Sequence, residues 1–229
     1  MRPFVSGTKD PQLSSGTADA RAADLAGISP AHRGTIHPRW VRITHWINVI
    51  AMFVMITSGW RIYNASPLFQ FTFPSAITIG DGIDGLPGAL LWHFAAMWLL
   101  VVNGVTYVAF GIFSGRFRRK LLPIRPADVI RDLRAALTGK LSHDDLSVYN
   151  AVQRLLYAGV IAAGVVVVLS GVSIWKPVQF QEITAVFGGY DAARFVHFFA
   201  MATIVGFLLI HIALAILVPK SLRAMILGR

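Results

Sequence analysis

The chain of 229 residues is 55% hydrophobic and 14% charged, with a mean hydropathy of +0.61, which removes it from the soluble globular class. It has no cysteine, which excludes disulfides, thiolate-ligated iron–sulfur clusters and covalent haem of the CxxCH type, so any redox group must be held by histidine, methionine or oxygen ligands. The net charge of +10 does not indicate nucleic acid, because the bases sit beside apolar segments, where they orient a membrane protein and meet anionic lipid.

Residues 1–38 are rich in Ser, Gly, Ala and Asp, with scattered Arg and no apolar run. They lack the h-region of a signal peptide and are expected to be a disordered cytoplasmic tail in which His32 and His37 are solvated. The first crossing is expected over about 40–60, with Trp40 and Trp46 marking one interface and Trp60 the other. His45 falls about one and a half turns inside it. The stretch Arg61 to Pro87 is too broken by Gly and Pro for a crossing and too apolar for an ordinary solvated loop, so a lid or docking surface is expected.

The second crossing covers about 88–113, with His93 near its start. Gly104 and Gly111 lie on nearly one face, where they admit a flat cofactor or a neighbouring helix. A basic connector, SGRFRRKLLPIRP, leads into ADVIRDLRAALTGK. There Val129, Ile130, Leu133 and Leu137 recur at helical spacing, predicting a short amphipathic cytoplasmic helix in the interface. Ser142 to Asp145 resemble a helix cap, which makes His143 a surface residue. The third crossing is expected over about 146–175 and has no histidine.

The fourth crossing, over about 193–219, reads ARFVHFFAMATIVGFLLIHIALAILVP. It carries His197 and His211 with no other ionisable group between them. Fourteen positions separate the two, which is about 21 Å along a helix and only about 40° around it. Ionisable side chains in a bilayer are costly, and neutral imidazoles at such depths suit a metal or haem.

Lys and Arg decide the orientation. The segment up to Arg42 holds 6, the connector Arg116 to Arg154 holds 9 and the C-terminus 3, against only Arg61, Lys176 and Arg194 in the other two loops. Both termini, including residues 221–229, and the middle connector are therefore expected in the cytoplasm. The expected fold is an all-α integral membrane protein, a four-transmembrane-helix bundle over 39–220 with both ends inside. With that topology the histidines fall at two depths: His45 with His211 near the cytoplasmic surface, and His93 with His197 near the outer one. Two facing imidazoles at one depth on different helices suit a six-coordinate haem, so two haems stacked across the membrane are expected. Zinc or copper fits less well, since each level supplies two nitrogen ligands only. A proton or ion transporter would carry a buried acid, and none lies mid-helix.

Four stretches in order carry a resemblance: RITHWINVIAMFVMITSGW, LWHF, YNAVQRLLY entering the third helix, and H-x13-H in the fourth. Over about Pro38 to Lys220 the chain resembles the bacterial cytochrome b561 and nickel–iron hydrogenase cytochrome b group, related to formate dehydrogenase gamma subunits. The resemblance implies two haem b groups on His45, His93, His197 and His211, in the bacterial cytoplasmic membrane. IYNASP and KPVQFQ…FGGYDAARFVHFFAM look most like the cytochromes that serve periplasmic molybdopterin oxidoreductases of the sulfite-oxidase type, with hydrogenase cytochromes the near competitor. The tail of nearly forty residues departs from the short N-terminus of that group.

The expected function is electron transfer between a periplasmic oxidoreductase, docked on the Arg61–Pro87 and Lys176–Tyr190 loops, and quinone near the cytoplasmic interface. The protein is then an electron-transfer subunit rather than a catalyst by itself. Anionic haem propionates need donors: Arg39, Arg42 and Arg154 are candidates inside, and Arg61, Lys176 and Arg194 outside. Tyr149, Asn150 and Gln153 lie near the surface where quinone is expected. The alternative is a stand-alone superoxide:quinone oxidoreductase, which a strongly basic outer pocket would favour. The outer loops set three bases against Asp81, Asp84, Glu182 and Asp191, which favours docking.

Overall fold

The computed structural model describes residues 38–80, 85–138 and 149–228. The expected tail with His32 and His37, the acids Asp81 and Asp84, and the cap at Ser142 to Asp145 lie outside the described residues. The described chain is helical throughout: α1 (Arg39–Ala65), α2 (Gly85–Phe113), α3 (Arg116–Lys120), α4 (Pro126–Leu137), α5 (Ala151–Trp175), α6 (Gln181–Val186), α7 (Tyr190–Leu217) and α8 (Pro219–Leu227). Four of these, α1, α2, α5 and α7, are long and apolar enough to cross a membrane, with peak mean hydropathy rising from 1.4 to 2.5 along the chain.

The boundaries follow local chemistry and differ in places from expectation. Helix α1 continues past Trp60 to Ala65, because nothing in RIYNA breaks it until Ser66, which precedes Pro67 and leaves the helical region. Arg61 therefore rides on a helix rather than in a loop. Helix α5 starts at Ala151, not 146, because Asn150 and Gln153 form a reciprocal capping box. Helix α7 starts at Tyr190, after Gly188 and Gly189 turn the chain at φ of 87° and 101°. It stops at Leu217 because Val218 precedes Pro219, which opens α8 at its first position. The expected amphipathic helix is present as α4, and its Asp132 accepts a hydrogen bond from the first N–H of α5 at 2.8 Å.

Contacts between the long helices close a ring. Helix α1 meets α2 through Asn103, whose Nδ2 donates to Thr44 O at 2.8 Å and Asn48 Oδ1 at 2.6 Å. Helix α2 meets α5 at Phe94 and Trp175, 5.1 Å between ring centroids. Helix α5 meets α7 at Tyr157 and Phe207, 6.4 Å apart, and α7 returns to α1 at Phe198 and Tyr63, 5.3 Å apart. The residue numbers at these contacts run in opposite senses, so each helix is antiparallel to both neighbours, an up-down-up-down bundle.

The bundle is buried on small residues, with Ala51, Ala89, Ala193, Ser58, Ser170 and Ser173 fully enclosed, whereas Phe113, Leu91 and Ile216 stand exposed. That inversion is expected where lipid replaces water, because helices then associate by close backbone approach and hydrogen bonds rather than by apolar burial.

Over one end of the bundle, residues 66–74 fold back as a lid rather than a solvated loop. Asn64 pairs with both the N–H and C=O of Phe73 at 2.8 Å, Trp60 stacks on Phe73 at 4.7 Å, and Phe69 packs on Phe195 and Phe198 of α7. Arg194 ties α7 to the end of α1 by donating to Ser66 O at 2.6 Å.

Candidate functional site

The four membrane histidines are half-buried and fall at two levels of the bundle. At the level below the aromatic lid, His93 on α2 and His197 on α7 come from diagonally opposed helices. Each leans on a serine–glycine step of the helix beside it. His93 Nδ1 is 3.0 Å from Ser58 Oγ. His197 Nδ1 is 3.2 Å from Ser170 Oγ and 2.9 Å from the Val167 carbonyl.

The two serines spend their own protons on their helices, Ser58 on Val54 O at 2.5 Å and Ser170 on Val166 O at 2.7 Å. Each Oγ therefore accepts, and each imidazole carries its proton on Nδ1. That leaves Nε2 as the free lone pair of both rings. A Cβ added to Gly59 would lie 3.3 Å from His93 Cε1, and one added to Gly171 would lie 3.1 Å from His197 Cε1. Only glycine lets the rings sit so near the helix axes.

At the other level His45 on α1 faces His211 on α7, with ring centroids 6.1 Å apart. Aromatic rings hold these imidazoles: Trp46 meets His45 edge-on at 5.3 Å, and Phe207 stacks on His211 at 5.6 Å and 12°. Tyr157 lies beside Phe207 and Tyr149 beside Tyr157 at 5.0 Å, so rings extend from His211 toward the connector end. Burial raises the Tyr149 phenol above its ordinary value, against the opposing charge and hydrogen bond of Arg116.

His45 and His211 thus bring two imidazoles together from different helices, which can share one metal centre. Two rings bonded to one iron at about 2 Å each stand roughly 6 Å between centroids, in line with the 6.1 Å of the His45–His211 pair.

Residues 36–228 match the prokaryotic cytochrome b561 family. The chain belongs to that family. It is also 53% identical, over 193 residues, to a putative protein-methionine-sulfoxide reductase subunit, YedZ1, of Azospira oryzae, covering 84% of this chain and 96% of that protein. As a prokaryotic cytochrome b561 it is a haem-binding membrane protein of electron transfer, and its donor set fits b-type haem: imidazoles and no thiolate.

The arginines of this cytochrome have other occupations. Arg42 Nε donates to Met225 O at 3.1 Å, and its Nη2 donates to Ile226 O, holding α8 against α1. Arg154 donates to Tyr149 O at 3.0 Å and Pro123 O at 3.3 Å. Asn150 and Gln153 are engaged with each other's backbone in the α5 cap. Of the two glycines singled out on α2, Gly111 receives the Phe117 ring of α3, and Gly104 faces open space. Sequence reasoning missed Ser58 and Ser170. The available signal was the same Ser-Gly dipeptide near the end of the first and third crossings.

Proposed function

We propose that the protein is a dihaem cytochrome b, the membrane subunit of a periplasmic oxidoreductase of the molybdopterin type that reduces methionine sulfoxide in proteins. His93 and His197 hold the outer haem, and His45 and His211 the inner one. A b-type haem bound at each level supplies a one-electron relay. The chain's own work is to present two Nε2 atoms per level, to fix the rings and to keep the levels about 21 Å apart on the continuous helix α7. Arg42 and Arg154, through their remaining N–H donors, and Arg61 at the opposite end are placed to meet haem propionates.

The observation that carries this reading is the meeting of His45 and His211 at 6.1 Å, with His93 on α2 and His197 on α7 as the second pair. The methionine-sulfoxide reductase name of the Azospira relative supports the partner and the direction. Reducing a sulfoxide to a thioether and water consumes two electrons and two protons, so electrons run outward, from quinol at the cytoplasmic side to the partner docked on the aromatic lid. Lys and Arg counts support the same orientation, with both termini in the cytoplasm of a bacterium.

The test is a redox-poised spectrum of the purified protein with a pyridine haemochrome count, followed by stopped-flow oxidation of the reduced cytochrome by its co-purified partner and a methionine-sulfoxide peptide. Two haems per chain, with oxidation that requires both partner and sulfoxide, are expected. Fewer than two haems overturns the dihaem reading. Superoxide:quinone turnover by the isolated chain overturns the subunit reading in favour of a stand-alone oxidoreductase.

A further inference from the structure

The two helix hairpins are copies of one design. In both, the helix that supplies the serine–glycine step is followed by an antiparallel helix that supplies an outer histidine. In both, the histidine Nδ1 lies within hydrogen-bond distance of the serine oxygen, Ser58 for His93 and Ser170 for His197, and His197 Nδ1 also bonds the carbonyl three residues before its serine, that of Val167. The register continues to the other end. His45 lies thirteen positions before Ser58, and Tyr157 lies thirteen before Ser170. Fourteen positions after His93 comes Tyr107, and fourteen after His197 comes His211. A two-fold relation along the bundle axis therefore exchanges α1 with α5 and α2 with α7. It holds the outer level in like pairs and breaks at the inner level, where tyrosine stands opposite each histidine.

We infer that Ser58 and Ser170 are matched positioning residues that set the reduction potential of the outer haem through the Nδ1–H of His93 and His197; this rests on the dihaem reading above. A hydrogen bond accepted from Nδ1–H makes the imidazole a stronger donor at Nε2 and orients its ring. A stronger donor favours ferric over ferrous iron, so the serines hold the outer potential down. The inner rings meet Trp46 and Phe207.

The test is a spectroscopic redox titration of the purified holoprotein with Ser58→Ala, Ser170→Ala and the double variant, alongside Ser173→Ala. Ser173 is equally buried on α5, and its hydroxyl bonds Leu169 O. Each single serine variant should raise one of the two midpoints. The double variant should shift the ferrous preference of that haem about tenfold, about 59 mV for a one-electron couple, with an altered low-spin ferric EPR signal. The other midpoint, and both midpoints in Ser173→Ala, should stay in place. If the double variant loses the outer haem, the single variants decide: a midpoint raised in each supports the inference, and midpoints unmoved in both overturn it. Two haems with unmoved potentials and EPR signals in the double variant would overturn the inference and leave the dihaem reading standing. Fewer than two haems in the wild type would overturn both.

Discussion

His45 and His211 meet across helices α1 and α7 with their ring centroids 6.1 Å apart, although 166 positions separate them in the chain. Each ring is fixed by an aromatic neighbour on its own helix, so the pair is preorganised rather than assembled by whatever binds between them. The outer pair is fixed by hydrogen bonds to the neighbouring helices instead.

His197→Ala should remove the outer haem and His211→Ala the inner one, each halving the haem found per chain by pyridine haemochrome assay. A variant that keeps both haems would show that the pairing by depth is wrong. His143→Ala, altering a histidine of the connector, should leave the count unchanged.

Gly171→Ala would place a methyl carbon 3.1 Å from His197 Cε1, tighter than the ring can accept without moving. It should weaken outer haem retention during detergent washing. Gly104→Ala meets no atom within 4 Å and should be silent in the same assay.

Asn103→Leu removes both hydrogen bonds that clamp α2 to the start of α1. Interhelical hydrogen bonds in membranes average about 0.6 kcal/mol and reach about 1.7 kcal/mol. A loss in that range should appear as a lower midpoint in thermal or SDS unfolding, with haem content at low temperature unchanged.

An alkaline phosphatase fusion after Gly139 should be inactive and one after Ser75 active if, as proposed from the Lys and Arg counts, the basic connector is inside and the aromatic lid outside. The reverse pattern would invert the orientation, and with it the assignment of inner and outer haem.

The four long apolar helices were legible in the sequence because apolar length is a strong signal, and the meeting of His45 with His211 was expected from arithmetic on the chain. The end of α1 was not, because RIYNA contains no breaker and its helical state depends on Ser66 and Pro67 beyond it. The arginines were read as anchors for anionic groups, whereas Arg42 and Arg154 also satisfy carbonyls on segments distant in sequence, which no local pattern reveals. Ser58 and Ser170 escaped notice for a related reason. A serine in an apolar helix usually bonds its own backbone, and only the arrival of a ring from the next helix gives its lone pair a task.

Because each level draws its two imidazoles from different hairpins, neither hairpin can complete a haem pocket alone. During synthesis the first hairpin enters the membrane with His93 already bonded to Ser58 and Asn103 to Thr44, while His45 meets His211 only later. Both levels close only when α7 arrives, the last of the spanning helices. With the four histidines as the proposed haem ligands, cofactor insertion is a late step of biogenesis, and a ribosome stalled before α7 would leave an inserted but colourless precursor.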